Sequence, residues 1–190
     1  MLQVIRIKNY LSFRYEVVPS FEATKDTTFE ECQVVNVTPK VRLLSFPLIY
    51  GANASGKSNL LNAMDFLRDF WFDKKSDIDE ETGVVPFLLD TETPNEPSEF
   101  NIKFFVGDKR YWYALVLDDK QVITEDLYVY NSVQPSLVFS RELDGTTSLI
   151  KLNASLVKAN ATIVEQLNVK CLSNMSFFAA RNQVNCSLAY

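Results

Sequence analysis

The chain has 190 residues, 47% hydrophobic and 23% charged, with a formal net charge of −5 and no histidine. That balance is globular rather than disordered and suits one domain or one lobe of a larger one; it argues against a self-sufficient nucleic-acid clamp while leaving room for a local basic patch. Without histidine, Ser-His-Asp and Cys-His catalysis and histidine metal sites are excluded, so any chemistry rests on carboxylates, lysine, or a bound ligand and its metal.

In chain order, Met1 to Lys8 ends in the alternation Ile5, Arg6, Ile7, Lys8, which predicts a half-buried strand. Asn9-Tyr10-Leu11-Ser12-Phe13 is a polar and aromatic break. Phe13 to Val18 then reads as a second strand ended by Pro19, and residues 22–40 read as a loop with weak edge strands around Val34-Val35. Val41 to Tyr50 (VRLLSFPLIY) has the apolar run of a buried strand, with Pro47 its discordant residue.

Next comes Gly51-Ala-Asn-Ala-Ser-Gly-Lys-Ser58, which fits G-x-x-x-x-G-K-[ST]. In such a loop Gly51 and Gly56 allow backbone conformations that a Cβ would penalise, so successive amides turn inward on one anion. Lys57 reaches the β/γ-phosphates of a nucleotide, Ser58 offers a hydroxyl to Mg²⁺, and the phosphates sit at the positive end of the following helix. Leu60, Leu61, Met64, Leu67 and Trp71 recur at helical spacing and predict that helix as far as Asp73. The order of strand, glycine loop and helix is the one a nucleotide-binding loop requires.

The charged run 73–83 reads as solvated. Beyond it, Glu99–Phe105, Arg110–Leu117, Val122–Tyr130 and Pro135–Arg141 are short strands, separated by turns at Gly107-Asp108, Asp118-Asp119-Lys120 and Asn131-Ser132, and form an antiparallel meander within 84–150. Ala159–Val169 is expected to be helical, and no element is assigned over 171–190. Cys32, Cys171 and Cys186 are odd in number and widely spaced, and so read as reduced thiols. No apolar run reaches membrane-spanning length, so a cytoplasmic protein without a membrane partner is expected.

The N-terminal strand, the N-x-x-S-F turn, and the stretch RLLSFPLIYGANASGKSNLLNAMDFLRDF followed by PFLLD and PSEFNIKFF resemble the ABC-type ATPase heads of the SMC and RecF group. The closer likeness is to bacterial AAA-family ATP-binding proteins related to OLD-family ATPases, many of them anti-phage or abortive-infection components. It covers most of residues 1–150. The resemblance implies an α/β P-loop NTPase, ABC-ATPase-like: one N-terminal lobe over 1–190, with strands, P-loop and helix in 1–75, the meander in 84–150 and a helical end in 151–190. It also implies ATP and Mg²⁺ as ligands. Gly51, Asn53, Ala54, Ser55, Gly56, Lys57, Ser58 and Asn59 match the nucleotide positions, Ser58 also the metal position, and Gln183 matches a metal-sensing glutamine. Relatives often carry glycine at position 54 and a basic residue at position 11; here these are Ala54 and Leu11, with Arg14 or Arg42 as candidate substitutes for the latter.

No signature motif is evident. Two stretches imitate a Walker B strand: VVPFLLDTE, ending near Asp90, is interrupted by Pro86, and ALVLDD, ending at Asp118-Asp119, turns back into another β segment as a hairpin does. The expectation is therefore an ATP-binding lobe of a defence-system ATPase that does not hydrolyse alone, acting as a homodimer or with a missing C-terminal lobe, with a co-encoded effector protein as a candidate partner. The alternative is a non-catalytic, nucleotide-gated interaction module presenting the aromatic meander. A small kinase is disfavoured by the fifty residues before the loop, and a GTPase by the lack of N-K-x-D.

Overall fold

In a computed structural model the chain is a mixed α/β protein, described over residues 1–184 and, for backbone pairing, residues 187 and 188. One large sheet organises it. The strands are β1 (Leu2–Lys8), β2 (Val34–Thr38), β3 (Val41–Leu44), β4 (Ser98–Val106), β5 (Lys109–Leu117), β6 (Val122–Tyr130), β7 (Ser136–Asp144), β8 (Thr147–Leu152), β9 (Val157–Lys158) and β10 (Ser187–Leu188). Six of them form an antiparallel sheet in the order β1-β4-β5-β6-β7-β8, while β2 pairs with β3 and β9 with β10 as small ribbons. The meander follows from period-two alternation: β5 buries Tyr111, Tyr113, Leu115 and Leu117 on one face and turns Arg110, Trp112 and Ala114 to the other.

The helices are α1 (Glu30–Gln33), α2 (Lys57–Phe72), α3 (Ala161–Lys170) and α4 (Phe177–Arg181). On α2, Leu60, Ala63, Leu67 and Phe70 are buried at spacings of three and four and face the sheet. Each large side chain there contributes about 1.5–3 kcal/mol of transfer free energy. Aromatic contacts run the length of this interface, from Tyr10 on Phe100 (5.2 Å between centroids) through Phe66 on Phe100 (5.4 Å) to Trp71 on Tyr113 (5.2 Å).

Three expectations are revised. Phe13–Val18 is not a strand: the segment follows the free edge of β1 through single bridges, Ile7 with Val17 and Val4 with Ser20. Pro19 there has no N–H to donate and accepts only, from Ile5 N at 3.1 Å. The strand expected over Val41–Tyr50 stops at Leu44, and Phe46 (78% exposed), Leu48, Ile49 and Tyr50 (84% exposed) stand in solvent. Their apolar character favours burial, but among the described residues no strand pairs with 46–50. The meander also has a fifth strand, β8, in addition to the four anticipated.

Residues 171–177 are held on the inner face of the sheet by a buried ion pair. Arg141 (1% exposed) and Glu125 (0%) project inward from β7 and β6, where alternation otherwise places apolar residues. Every donor of Arg141 is used: Nε to Ser148 Oγ (3.0 Å), Nη1 to Glu125 Oε2 (3.2 Å) and to the Met175 carbonyl, and Nη2 to the carbonyls of Leu172 (2.7 Å) and Ser173 (3.2 Å). Glu125 in turn accepts from the Tyr113 hydroxyl (2.9 Å), Ser176 Oγ (3.1 Å) and the Phe177 N–H (2.8 Å). Burial pushes the Tyr113 hydroxyl well above its usual range, which keeps it a donor.

Candidate functional site

The glycine loop leads directly into α2. Gly56 is the helix N-cap with φ 87°, and Ala54 also lies in the left-handed region at φ 62°. These two residues turn the chain so that the N–H groups of Asn53, Ala54, Gly56, Lys57 and Ser58 donate to no acceptor among the described residues. The glycines are also needed for space. A Cβ on Gly51 would lie 2.7 Å from Ser55 Oγ, and one on Gly56 would lie 2.8 Å from Phe13 Cε1 and 3.1 Å from Ser12 Oγ. Ser12, Ala54, Ser55, Gly56, Lys57, Ser58 and Asn59 line an open cavity of about 330 Å³.

Lys57 Nζ lies across the loop, donating to the carbonyls of Gly51 (2.9 Å) and Ala52 (2.6 Å). Both bonds are exposed, so an anion entering the cavity can compete for the ammonium without breaking a buried contact. These amides, the Lys57 ammonium and a Ser58 hydroxyl that has no hydrogen-bond partner among the described residues suit a polyphosphate with a divalent cation. Among the described residues no group of three or more Asp, Glu, Cys or His is arranged to hold a metal by itself. A metal here would therefore depend on Ser58 and the phosphates.

Of the residues singled out from sequence, the structure gathers Ala54, Ser55, Gly56, Lys57, Ser58 and Asn59 at the cavity, with Gly51 behind the lysine. Asn53 is exposed beside the cavity and does not line it. Gln183 is not brought to it. Gln183 follows α4, whose Phe178 packs 5.9 Å from Trp71, and its carbonyl accepts from Lys170 Nζ at 3.1 Å. Trp71 lies near the far end of α2 from the loop, roughly 20 Å away at the helical rise, so a metal shared by Ser58 and Gln183 has no support here.

The substitutes considered for Leu11 are engaged elsewhere. Arg14 Nε pairs with Asp90 Oδ2 at 2.8 Å, and Arg42 pairs with Glu30 at 3.0 Å and donates to the Thr24 carbonyl at 2.8 Å. The two Walker B imitations are turn devices. Asp90 Oδ1 accepts from the N–H of Glu92 (2.9 Å) and the N–H (2.8 Å) and hydroxyl (2.7 Å) of Thr93; these bonds to Thr93 above all hold its carboxyl below the ordinary range. Asp118 Oδ1 accepts from the N–H of Lys120 and Gln121 at 2.8 Å and closes the β5–β6 hairpin.

Sequence reasoning passed over the part played by the N-x-x-S-F turn. Asn59 Nδ2 donates to Ser12 Oγ at 2.7 Å, so the turn abuts the loop directly. Its position is set by Asn9, fully buried, whose Nδ2 donates to the carbonyls of Thr93 (2.7 Å) and Glu96 (2.8 Å) and whose Oδ1 accepts from the Phe87 N–H (2.9 Å). Its signal in the sequence is an asparagine directly after an alternating strand, where a side chain can satisfy the backbone of a neighbouring segment.

Comparisons with curated proteins and with solved structures return no match. A family model described as AAA domain, AbiEii toxin-like, type IV toxin–antitoxin system, matches residues 48–152, a span that begins just before the glycine loop and runs through β8. That span is more than half of the chain, and with the loop geometry it places the protein among the P-loop ATPases: the chain belongs to this AbiEii toxin-like AAA-domain family.

Proposed function

We propose that the loop Gly51–Ser58 binds ATP with Mg²⁺, and that the chain serves as one lobe of an ABC-type ATPase head of the OLD and SMC kind, in a bacterial defence system. Hydrolysis then depends on groups supplied by a second lobe or a partner. The observation that supports this reading best is the cluster of unpaired loop amides facing a cavity edged by Lys57 and Ser58. The loop amides and Lys57 would hold the phosphates, and Ser58 would meet the metal. Bound Mg²⁺ supplies charge neutralisation at the phosphates. Orienting an attacking water needs a further carboxylate or amide, and both Asp90 and Asp118 are committed to turns.

Calorimetric titration with ATP and Mg²⁺ tests the binding claim: the wild-type chain should bind, and Lys57→Ala should weaken binding by roughly a hundredfold, the scale of losing charge-assisted bonds of about 1.5–3 kcal/mol each. A steady-state assay tests the second claim. Robust turnover by the isolated chain that disappears in Lys57→Ala would contradict it.

A second reading, a nucleotide-gated interaction module, is favoured by the exposed Phe46, Leu48, Ile49 and Tyr50 immediately before the loop. Apolar side chains on a segment whose backbone has no strand partner among the described residues are a place where another strand can add. ATP-dependent association with a co-encoded protein, retained when hydrolysis is absent, would distinguish it.

A further inference from the structure

We infer that Ser12 is a phosphate-binding residue, and that the N-x-x-S-F turn contacts the nucleotide through this hydroxyl rather than through position 11. The inference rests on nucleotide binding at the loop as proposed above.

Ser12 lines the cavity and accepts from Asn59 Nδ2 at 2.7 Å. In that bond the Ser12 oxygen is the acceptor; its own O–H donates to no acceptor among the described residues. The hydroxyl is therefore oriented by Asn59 and still has its proton to give. It also stands beside the amides the phosphates would meet, since Ser12 Oγ would lie 3.1 Å from a Cβ built on Gly56.

The backbone carrying Ser12 is held in an unusual shape. Asn9 has φ 52° and Leu11 has φ 49°, and for a bulky residue such as Leu11 the left-handed region costs about 1–2 kcal/mol. The surroundings impose it: the Leu11 N–H donates to the Val85 carbonyl at 2.9 Å, the Leu11 side chain packs on the core, and the Asn9 side chain ties the turn to 87–96. Leu11 thus faces the protein and Ser12 faces the cavity. A turn of this cost that exposes one small hydroxyl beside a glycine loop is placed to serve a ligand.

The test uses two variants of equal shape in the whole chain, Ser12→Thr with a hydroxyl and Ser12→Val without one, titrated with ATP and Mg²⁺ by calorimetry beside Lys57→Ala. Ser12 is exposed, so neither variant should disturb folding, and equal thermal midpoints would verify this. Ser12→Thr should bind within about threefold of wild type, and Ser12→Val about tenfold or more weaker, the loss of one bond to a charged acceptor. Equal affinities for the two variants, with Lys57→Ala still deficient, would overturn the role of Ser12 and leave the loop assignment standing. Should the wild-type chain fail to bind ATP, both would fall. Asn59→Ala adds a separate arm: a severalfold loss of affinity is expected, and no loss would overturn the view that Asn59 orients the hydroxyl.

Discussion

Replacing Gly56 by alanine separates two physical demands that the loop makes at one position. The first is conformational: φ 87° costs an L-residue about 1–2 kcal/mol, offset by about 0.4–1 kcal/mol because alanine restricts the unfolded chain, for a net cost near 1 kcal/mol. The second is steric. The new methyl would stand 2.8 Å from Phe13 Cε1, 3.3 Å from Phe13 Cζ and 3.1 Å from Ser12 Oγ, and Phe13 is packed against the core and cannot simply rotate away. Overpacking of this kind costs about 1–3 kcal/mol, so the total is about 2–4 kcal/mol. Gly107 is the internal control: its φ is 59° and nothing lies within 4 Å of a Cβ built there, so Gly107→Ala should show only the first cost. Urea unfolding of the whole chain measures both, and a cycle with Phe13→Ala isolates the contact, with a coupling of about 1–3 kcal/mol in the sense of relief. If Gly56→Ala proves no more destabilising than Gly107→Ala, or the coupling vanishes, the turn does not press on the loop as described.

Four further outcomes are expected. Ala54→Gly should stabilise the chain by up to about 1 kcal/mol in urea, since φ 62° costs alanine more than glycine loses through unfolded-state entropy. Arg141→Met should destabilise by about 3–5 kcal/mol, because it strands the Glu125 carboxylate and three carbonyls inside the protein; a loss below 1 kcal/mol would show that the network relaxes. Asp90, whose folded-state carboxyl is held low, adds stability that is present above its unfolded value near 3.8 and lost as pH falls through the lower folded value. An Asp90→Asn chain should accordingly lose less stability on acidification in that window, measured by unfolding midpoint against pH. Burial raises the Cys171 thiol to about 11, so at pH 8 iodoacetamide should label exposed Cys32 and spare Cys171 in peptide maps of the native chain.

How much of this could be read from the sequence depended on whether a residue's role was local. The β5 and β6 strands were legible because alternation is a local pattern, and the expected span Val122–Tyr130 coincides with β6. The helix after the loop was legible for the same reason; it ends at Phe72 with Asp73 as its C-cap, next to the expected limit. Val41–Tyr50 misled because apolar content reports that a segment favours burial, not that a neighbour is present to bury it; only Val41–Leu44 finds one, in β2. Glu125 and Arg141 carried a usable sign, a charge in the inward phase of each strand, but the pairing across β6 and β7 and the carbonyls of 172–175 come from tertiary structure alone. Gln183 could be matched to a motif by its neighbours, yet its place beyond α4 follows from how Phe178 meets Trp71.

The loop is shaped unequally from its two sides. On the side of the N-x-x-S-F turn it is fully constrained: Asn9 anchors the turn, Phe13 forbids a side chain at position 56, and Asn59 reaches back to Ser12. On the side of residues 46–50, by contrast, four large apolar side chains meet water and the backbone finds no strand partner among the described residues. A cradle stiff on one flank and unsupported on the other can receive an anion, because the amides are already turned inward. It holds less well whatever depends on the open flank, since ordering those residues must then be paid at the moment of binding. A partner that covers 46–50 removes that cost and so should raise nucleotide affinity, and by linkage nucleotide should raise affinity for the partner by the same factor. The size of that shared factor is the quantitative test: a factor of one in both titrations would mean that the apolar run and the loop are independent.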